Sequence, residues 1–177
     1  MSSPTDPAHQ HQNGQRCACC AERHDGPLLA FHLPAPAYWS PEFEGQEGCS
    51  LTDELCVIDD QHFFVRALIE IPVHGQVDPF VWGAWASLSE DSYTRTVAAW
   101  ETPGRESAAP VFGWLSSALP GYRRSTLRLK TMVHTRAVGL RPLLDVEPTR
   151  HRLAREQHGG ITQAALARRL KRLIPPA

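Results

Sequence analysis

Residues 56–88 read CVIDDQHFFVRALIEIPVHGQVDPFVWGAWASL, and the fold turns on how this stretch divides. From His62 to Ile71 the side chains alternate, with Phe63, Val65, Ala67, Ile69 and Ile71 on one side and Phe64, Arg66, Leu68 and Glu70 on the other. That period of two is the one a pleated strand imposes, and β-branched and aromatic residues suit its surface. Pro72 cannot donate to a ladder, so pairing should weaken there and 74–79 should form the connection. A second strand follows, in which Phe80, Trp82, Ala84 and Ala86 oppose Val81, Gly83, Trp85 and Ser87. Gly83 between two Trp predicts a bulge or room for a neighbouring ring. The short strand CVID enters the first long strand through a turn at Asp59-Asp60. Both faces of this hairpin are apolar, which predicts a sheet covered by helix on one side and partly by loop on the other.

Toward the C-terminus, Ser89 caps a helix that begins with Glu90 and Asp91, carries Tyr93, Val97 and Trp100 on one stripe, and stops before Pro103-Gly104. Val111–Leu119 is a short strand or an extended segment. Thr126–Val138 alternates again, with Leu127, Leu129, Thr131 and Val133 inward and Arg128, Lys130, Met132 and His134 in a basic outer row. Leu143–Val146 makes one more strand. Two helices close the chain, His151–Gln157 and a second capped by Thr162 with Ala165, Leu166, Leu170, Leu173 and Ile174 on its stripe. Toward the N-terminus, the prolines of 27–41 predict extended chain anchored by Phe31, Tyr38 and Trp39, after which 42–54 is an acidic loop. Residues 1–15 have no apolar periodicity and read as a disordered tail. The expected architecture is α+β: a mainly antiparallel sheet of about five strands, packed by two or three helices, with an N-terminal Cys/His knuckle. One domain spans 16–177, with the knuckle at 16–26, the central hairpin at 56–88 and C-terminal helices at 149–174.

The chain has 177 residues, 42% hydrophobic and 21% charged, enough to bury a core. No apolar run reaches the roughly eighteen residues of a membrane span, and no apolar h-region follows the N-terminus, so a cytoplasmic protein is expected. The net charge of −1 hides a division. Residues 1–120 carry 5 basic and 16 acidic groups, −11, whereas 121–177 carry 13 basic and 3 acidic, +10. Such asymmetry marks either a polyanion-binding tail or surfaces that complement each other within the fold, and the bland reading is favoured, because Lys/Arg on the outer face of a terminal helix is usually solvation and self-pairing.

The most chemical-looking segment is RCACCAERHDG at 16–26. Cys17 and Cys20 form C-x-x-C and His24 follows, a spacing that can point three ligands at one tetrahedral ion, with zinc the natural occupant in a structural role. Cys56 is the favoured fourth ligand and Cys49 the second choice; a redox pair or inert thiols are the alternatives. His62, His74, His134 and His151 are candidates for acid, base or ligand work, although a lone His is more often structural. Arg66 could bind an anion, but pairing with Asp59, Asp60 or Glu70 is the favoured role. His62, His74 and Arg66 are the catalytic candidates. No GxGxxG, Walker loop, HExxH or GxSxG occurs.

The strings CACC with His24, ELCVIDDQHFFVRALIEIPVHG, FVWGAWASLSE, FGWLSSALPGY, RPLL and HRLAREQHGGI occur in an order that resembles a bacterial family classed as a domain of unknown function, number 2199. The resemblance runs from Cys17 to Ile161 and implies no reaction, substrate or catalytic residue. Relative to that family's pattern, Ala21 stands where a Gly is common and Ala67 where a Cys is common, which removes a possible thiol. These features favour a non-catalytic module that binds a partner protein and holds a small structural zinc. A metal-assisted enzyme with a His base and nucleic-acid binding through the C-terminal basic helix are the alternatives.

Overall fold

The computed structural model describes residues 29–174. In chain order the elements are β1 (Ala30–His32), β2 (Ser50–Leu51), β3 (Leu55–Ile58), β4 (His62–Ile71), β5 (Phe80–Leu88), α1 (Glu90–Ala98), β6 (Val111–Leu115), β7 (Lys130–His134), β8 (Leu143–Val146), α2 (Arg152–Gly159) and α3 (Gln163–Leu173). The expected tail at 1–15 and the knuckle at 16–26 lie outside the described residues.

The predicted hairpin is the spine. β4 and β5 pair antiparallel along their whole length, from Phe63↔Leu88 to Ile71↔Phe80. Each then divides its other edge between two partners. β4 pairs antiparallel with β3 through Val65 and parallel with β8 at Leu68↔Leu143, where the Leu68 N–H donates to the Pro142 carbonyl at 2.9 Å. β5 pairs parallel with β1 around Val81–Gly83 and antiparallel with β6 at Ala86 and Ser87. Since β6, β7 and β8 follow as an antiparallel meander, the β8–β4 pairing closes five strands into a barrel. The expectation of an ordinary five-stranded sheet is therefore corrected: the sheet curls onto itself and carries β1, β2 and β3 as extensions.

Closure sorts the two faces. Val65, Ala67, Ile69 and Ile71 of β4 join Trp82, Ala84 and Ala86 of β5, Leu115, Val133, Leu144 and Val146 in one core. Ala67 faces Ala84 across the ladder, so the small residues leave room inside for the indole of Trp82. Leu153, Ala154, Ile161 and Leu166 from the α2–α3 end belong to the same core, held to the β4–β5 turn by the Val73↔Ile161 bridge. At the other mouth Tyr93 of α1 packs on Phe63, ring centroids 5.1 Å apart. The outer face holds a second, smaller core of Cys56, Ile58, Phe64 and Trp85, covered by Leu33, Trp39, Phe43, Cys49 and Leu51. The loop cover expected over one face is thus the 29–51 segment, which also supplies two short strands. Those strands are only three and two residues long, too short to show an alternation.

Gly83 makes room for a ring: a Cβ there would lie 1.9 Å from His32 Nδ1. β7 is shorter than the 126–138 alternation because Arg128 sits in the left-handed region (φ 64°) and breaks the strand frame. Within it, Thr131 and Val133 do point inward and Lys130 and Met132 outward. The helix caps follow the sequence, with Ser89 accepting from Ser92 N and Thr162 from Ala165 N. α2 is capped by His151, whose Nδ1 accepts from Leu153 N at 3.1 Å.

No sequence signal marks Arg105, yet it is buried and ties the end of the α1 segment at Trp100 to the 136–140 turn. Nε donates to Arg136 O at 2.8 Å, Nη1 to Trp100 O at 2.7 Å and Nη2 to Leu140 O at 2.8 Å, while the guanidinium lies 5.0 Å from the Trp100 ring centroid. Arg105→Met should lower unfolding free energy by about 2–4 kcal/mol in urea titrations, because it strands carbonyls that only a planar fork can serve together. Gly83→Ala should cost about 1–3 kcal/mol by overpacking against His32, whereas Gly159→Ala, with open space around the added methyl, should be near neutral.

Candidate functional site

The outer face of the barrel is covered by the 29–51 segment only over β3, β4 and β5. Where that cover ends, a groove of about 570 Å³ opens, walled by Tyr38, Phe43, Ile58 and Phe64 on one side and Trp114, Ser116 and Arg128 on the other, with Asp59, His62 and Ser87 along it. The register builds this surface. Phe64 pairs with Ser87 and Ser87 with Trp114, so three strands present their outward side chains in one row. Tyr38 stacks on Phe64 at 6.0 Å and Phe112 meets Trp114 edge-on at 5.2 Å. Phe112 is in turn paired with Met132. The result is a strip of two ring pairs separated by Ser87 and extended by Met132, in which Tyr38 is 47% exposed, Phe112 45%, Trp114 42% and Met132 36%.

One rim of the groove is acidic. Residues 41–60 contain seven carboxylates and no Lys, Arg or His. The loop at Gly48 folds against the hairpin turn, with Asp60 N donating to Gly48 O at 2.9 Å, which gathers Glu47, Asp59 and Asp60. Among the described residues, Glu42, Glu44, Glu47, Asp59 and Asp60 form no ion pair. Only Arg141–Glu54 among the described residues, a bidentate contact at 2.6–3.0 Å, joins the acidic and basic parts of the chain; the other ion pairs there lie within 121–174. The basic segment thus pairs, among the described residues, mostly with its own carboxylates, in keeping with the self-pairing expected of it.

The catalytic candidates are not brought together. His62 opens β4 and lines the groove. His74 follows the far end of the same strand, roughly 30 Å away at the usual strand rise, and its Nε2 contacts Gly159 O at 2.9 Å. Arg66 lies between them on the outer face, buried over the Trp85 ring at 5.7 Å. Its Nη1 donates to Asp53 O at 3.2 Å, so the expected pairing with Asp59, Asp60 or Glu70 is corrected: the first two sit in the hairpin turn and Glu70 two pleats further along. Burial lowers the Arg66 pKa, as does Arg141, against Glu54 and Asp53. His151 is occupied as a helix cap, with Nε2 against Arg124 O at 3.3 Å. His134 stands half-buried at the end of β7. Arg141 is engaged by Glu54.

Of the proposed zinc ligands, Cys17, Cys20 and His24 lie outside the described residues. Cys56 is fully buried among Ile58, Phe64 and Trp85. Burial, with Cys49 adding to it, pushes its thiol up to about 12. Cys49 is half-buried, donates to Asp59 Oδ1 at 3.6 Å and accepts from Asp59 N at 3.3 Å. Among the described residues no three His, Cys, Asp or Glu side chains gather around one point as metal ligands would, and no helix is long and apolar enough to cross a membrane.

Fold and surface together define an α+β protein built on a closed five-stranded barrel with an aromatic groove outside it. Residues 16–161 match the family model described as an uncharacterized protein conserved in bacteria (DUF2199), and the chain belongs to that family. No curated protein and no solved structure matches it.

Two chemical expectations follow for the cysteines. Brief alkylation at pH 8 should spare Cys56 in the native protein and label it in the unfolded chain, as read in peptide mass maps, since only the thiolate reacts. A thiol raised in the folded state contributes stability below its ordinary pKa and loses it as pH climbs. Stability should therefore fall between about pH 9 and 12, and Cys56→Ala should flatten that decline in denaturant midpoints measured across the range.

Proposed function

We propose that this is a non-catalytic protein-binding module of the bacterial cytoplasm, and that its groove receives a basic segment of a partner protein bearing one large apolar side chain. The observation that carries the reading is the aromatic strip from Tyr38 through Trp114 to Met132, too contiguous for scattered surface residues. Exposed Trp and Tyr in a shallow recess are the groups that anchor partners, while a charged rim selects among them. Asp59 lines the groove, and the exposed Glu42 and Glu44 flank its wall residue Phe43 in the chain, as Asp60 follows Asp59, so Lys and Arg flanking the apolar anchor are the complement. Arg128 on the opposite wall would meet a carboxylate or carbonyl of the incoming chain. His62 serves as a polar wall residue.

The reading includes a structural zinc on Cys17, Cys20, His24 and a fourth cysteine. The C-x-x-C spacing supports it. Cys49, being reachable at the edge of the outer core, is now the better fourth ligand than Cys56, whose burial holds it as a neutral thiol. Purified protein should carry one zinc per chain by atomic emission, with Cys49→Ser and not Cys56→Ala releasing it; zinc-free protein, or zinc retained in Cys17→Ser, counts against the site.

For the groove, two short peptides with the same central Leu-Phe pair, one flanked by Lys and Arg and the other by Glu, should be discriminated in fluorescence titrations. The basic peptide should bind, and Trp114→Ala should weaken it at least tenfold, the equivalent of about 1.4 kcal/mol, without lowering Tm. Equal affinity for both peptides, or binding indifferent to Trp114→Ala, would overturn the reading.

A further inference from the structure

The far end of the molecule carries a second feature that the groove does not use. The 120–121 turn, α2 and α3 enclose a recess of about 250 Å³ lined by Arg152, Arg168, Arg169 and Arg172 with Ala165 and Leu173. A neighbouring recess of about 350 Å³ shares Arg152 and adds Arg123, Arg124, Arg150 and Arg155. The nearest carboxylate in this cluster is that of Glu156, and it is fully committed. It accepts from Tyr122 Oη at 2.7 Å, Arg152 Nε at 2.7 Å and Arg169 Nη2 at 2.5 Å. Arg168 and Arg172 have no ion-pair partner among the described residues.

Arg169 is the distinctive member. Its side chain is nine-tenths buried, with its guanidinium between the rings of Phe80 and Tyr122 at 5.1 and 5.3 Å. Its Nη1 nonetheless finds no hydrogen-bond partner among the described residues. A buried donor left unsatisfied is costly and calls for an acceptor. A solvated basic helix face would account for Arg168, Lys171 and Arg172, since cations favour a helix C-terminus. It does not account for four guanidinium groups from two helices lining one concavity against a single carboxylate, because like charges at these spacings repel.

We propose that this recess is a phosphate-binding site that takes a terminal or bridging phosphate group of a phosphorylated ligand. Guanidinium forks match phosphate oxygens bidentately, and a fixed cluster of them is how phosphate is selected over monovalent anions. Tyr122, whose hydroxyl is tied to Glu156 and whose pKa is raised chiefly by burial, has the Arg169 and Arg152 guanidinium groups over its ring at 5.3 and 6.0 Å. The residues lining the recess itself include no aromatic ring on which a base could stack, so recognition there is of phosphate and not of sequence or base. The phosphate belongs to a small phosphorylated molecule held in the one recess, or to a phosphodiester backbone that runs on into the neighbouring Arg-lined recess.

Isothermal titration of the full-length protein with inorganic pyrophosphate at low ionic strength tests this. One site per chain is expected, with a Tm increase that sodium chloride of equal ionic strength does not reproduce. Arg168→Gln/Arg172→Gln, which alters only exposed side chains, should weaken binding at least tenfold with the circular dichroism spectrum unchanged; Arg128→Gln and Trp114→Ala in the groove should leave it intact. A short single-stranded oligonucleotide that displaces pyrophosphate, with affinity falling steeply with salt, assigns the phosphate to a nucleic-acid backbone. Pyrophosphate binding with no oligonucleotide competition assigns it to a small molecule. Absence of a pyrophosphate heat, a stabilisation equalled by chloride, or binding unchanged in the double variant overturns the proposal. Should the double variant unfold, Arg172→Gln alone and the pyrophosphate-against-chloride Tm comparison in the unaltered protein decide it.

Discussion

The pairing of β4 with β5 is the constraint on which the rest of the molecule depends. Nine residue pairs in unbroken register fix which side chains face in, and the division of each strand's second edge between two partners fixes where the sheet ends. A meander of five strands alternates direction four times, so its first and last strands must run parallel if it closes. The Leu68↔Leu143 pairing is that closure. Once it forms, Val65, Ala67, Ile69 and Ile71 have one interior to share with Trp82, Leu115, Val133 and Leu144, and the opposite face becomes the exterior.

The exterior carries the surfaces with chemistry available. Over β3, β4 and β5 it is insulated by the 29–51 segment, whose Leu33 carbonyl accepts from Trp85 Nε1 at 3.0 Å. Beyond that cover, β6 and β7 present Phe112, Trp114 and Met132 outward with nothing among the described residues laid across them. The groove exists because the cover stops short of the last strands, so that Tyr38 and Phe43 of the cover stand as a step beside Ser87 and Trp114. At the α2–α3 end a different logic holds. There the helices close the core with Leu153, Ala154 and Leu166, and their polar faces converge on the Tyr122–Glu156–Arg169 cluster, a buried polar centre of the kind that must be fully satisfied to be stabilising.

Charge is segregated in space much as along the chain. Arg141–Glu54 is the single ion pair joining the two parts among the described residues, and Arg128 shares the groove lining with Asp59, while most arginines of 123–172 lie with the helices. Self-repulsion within each surface weakens the folded state modestly. That cost is offset when each surface meets a partner of opposite sign.

Much of the architecture was legible from local pattern. Period-two alternation located β4, β5 and the inward residues of β7, and Ser89 and Thr162 located the starts of α1 and α3, because these signals act within a few residues. Gly83 was legible as space for a ring, though not whose. What no local pattern contains is closure: β8 meeting β4 across some seventy residues depends on strand twist and on the geometry of the chain between them. The same holds for Arg105, three of whose four carbonyl acceptors lie more than thirty residues on, in the 136–140 turn, and for Arg66, whose nearest acceptor is a backbone carbonyl thirteen residues back. His62 and His74 looked like neighbours in sequence and stand at opposite ends of a strand.

The amino-acid sequence by itself therefore determined the long strands of the hairpin, the helix starts, the two faces of the hairpin and the division of charge, since periodicity, capping and composition are properties of neighbouring residues, whereas β1 and β2 are too short to show a period. Tertiary structure alone decided that the sheet closes, that Cys56 is a buried neutral thiol, that Tyr38, Phe64, Trp114 and Phe112 form one strip, and that Arg152 and Arg169 converge on one carboxylate. Those outcomes depend on contacts between segments far apart in the chain, where pairing register and packing, not local propensity, set which side chains meet.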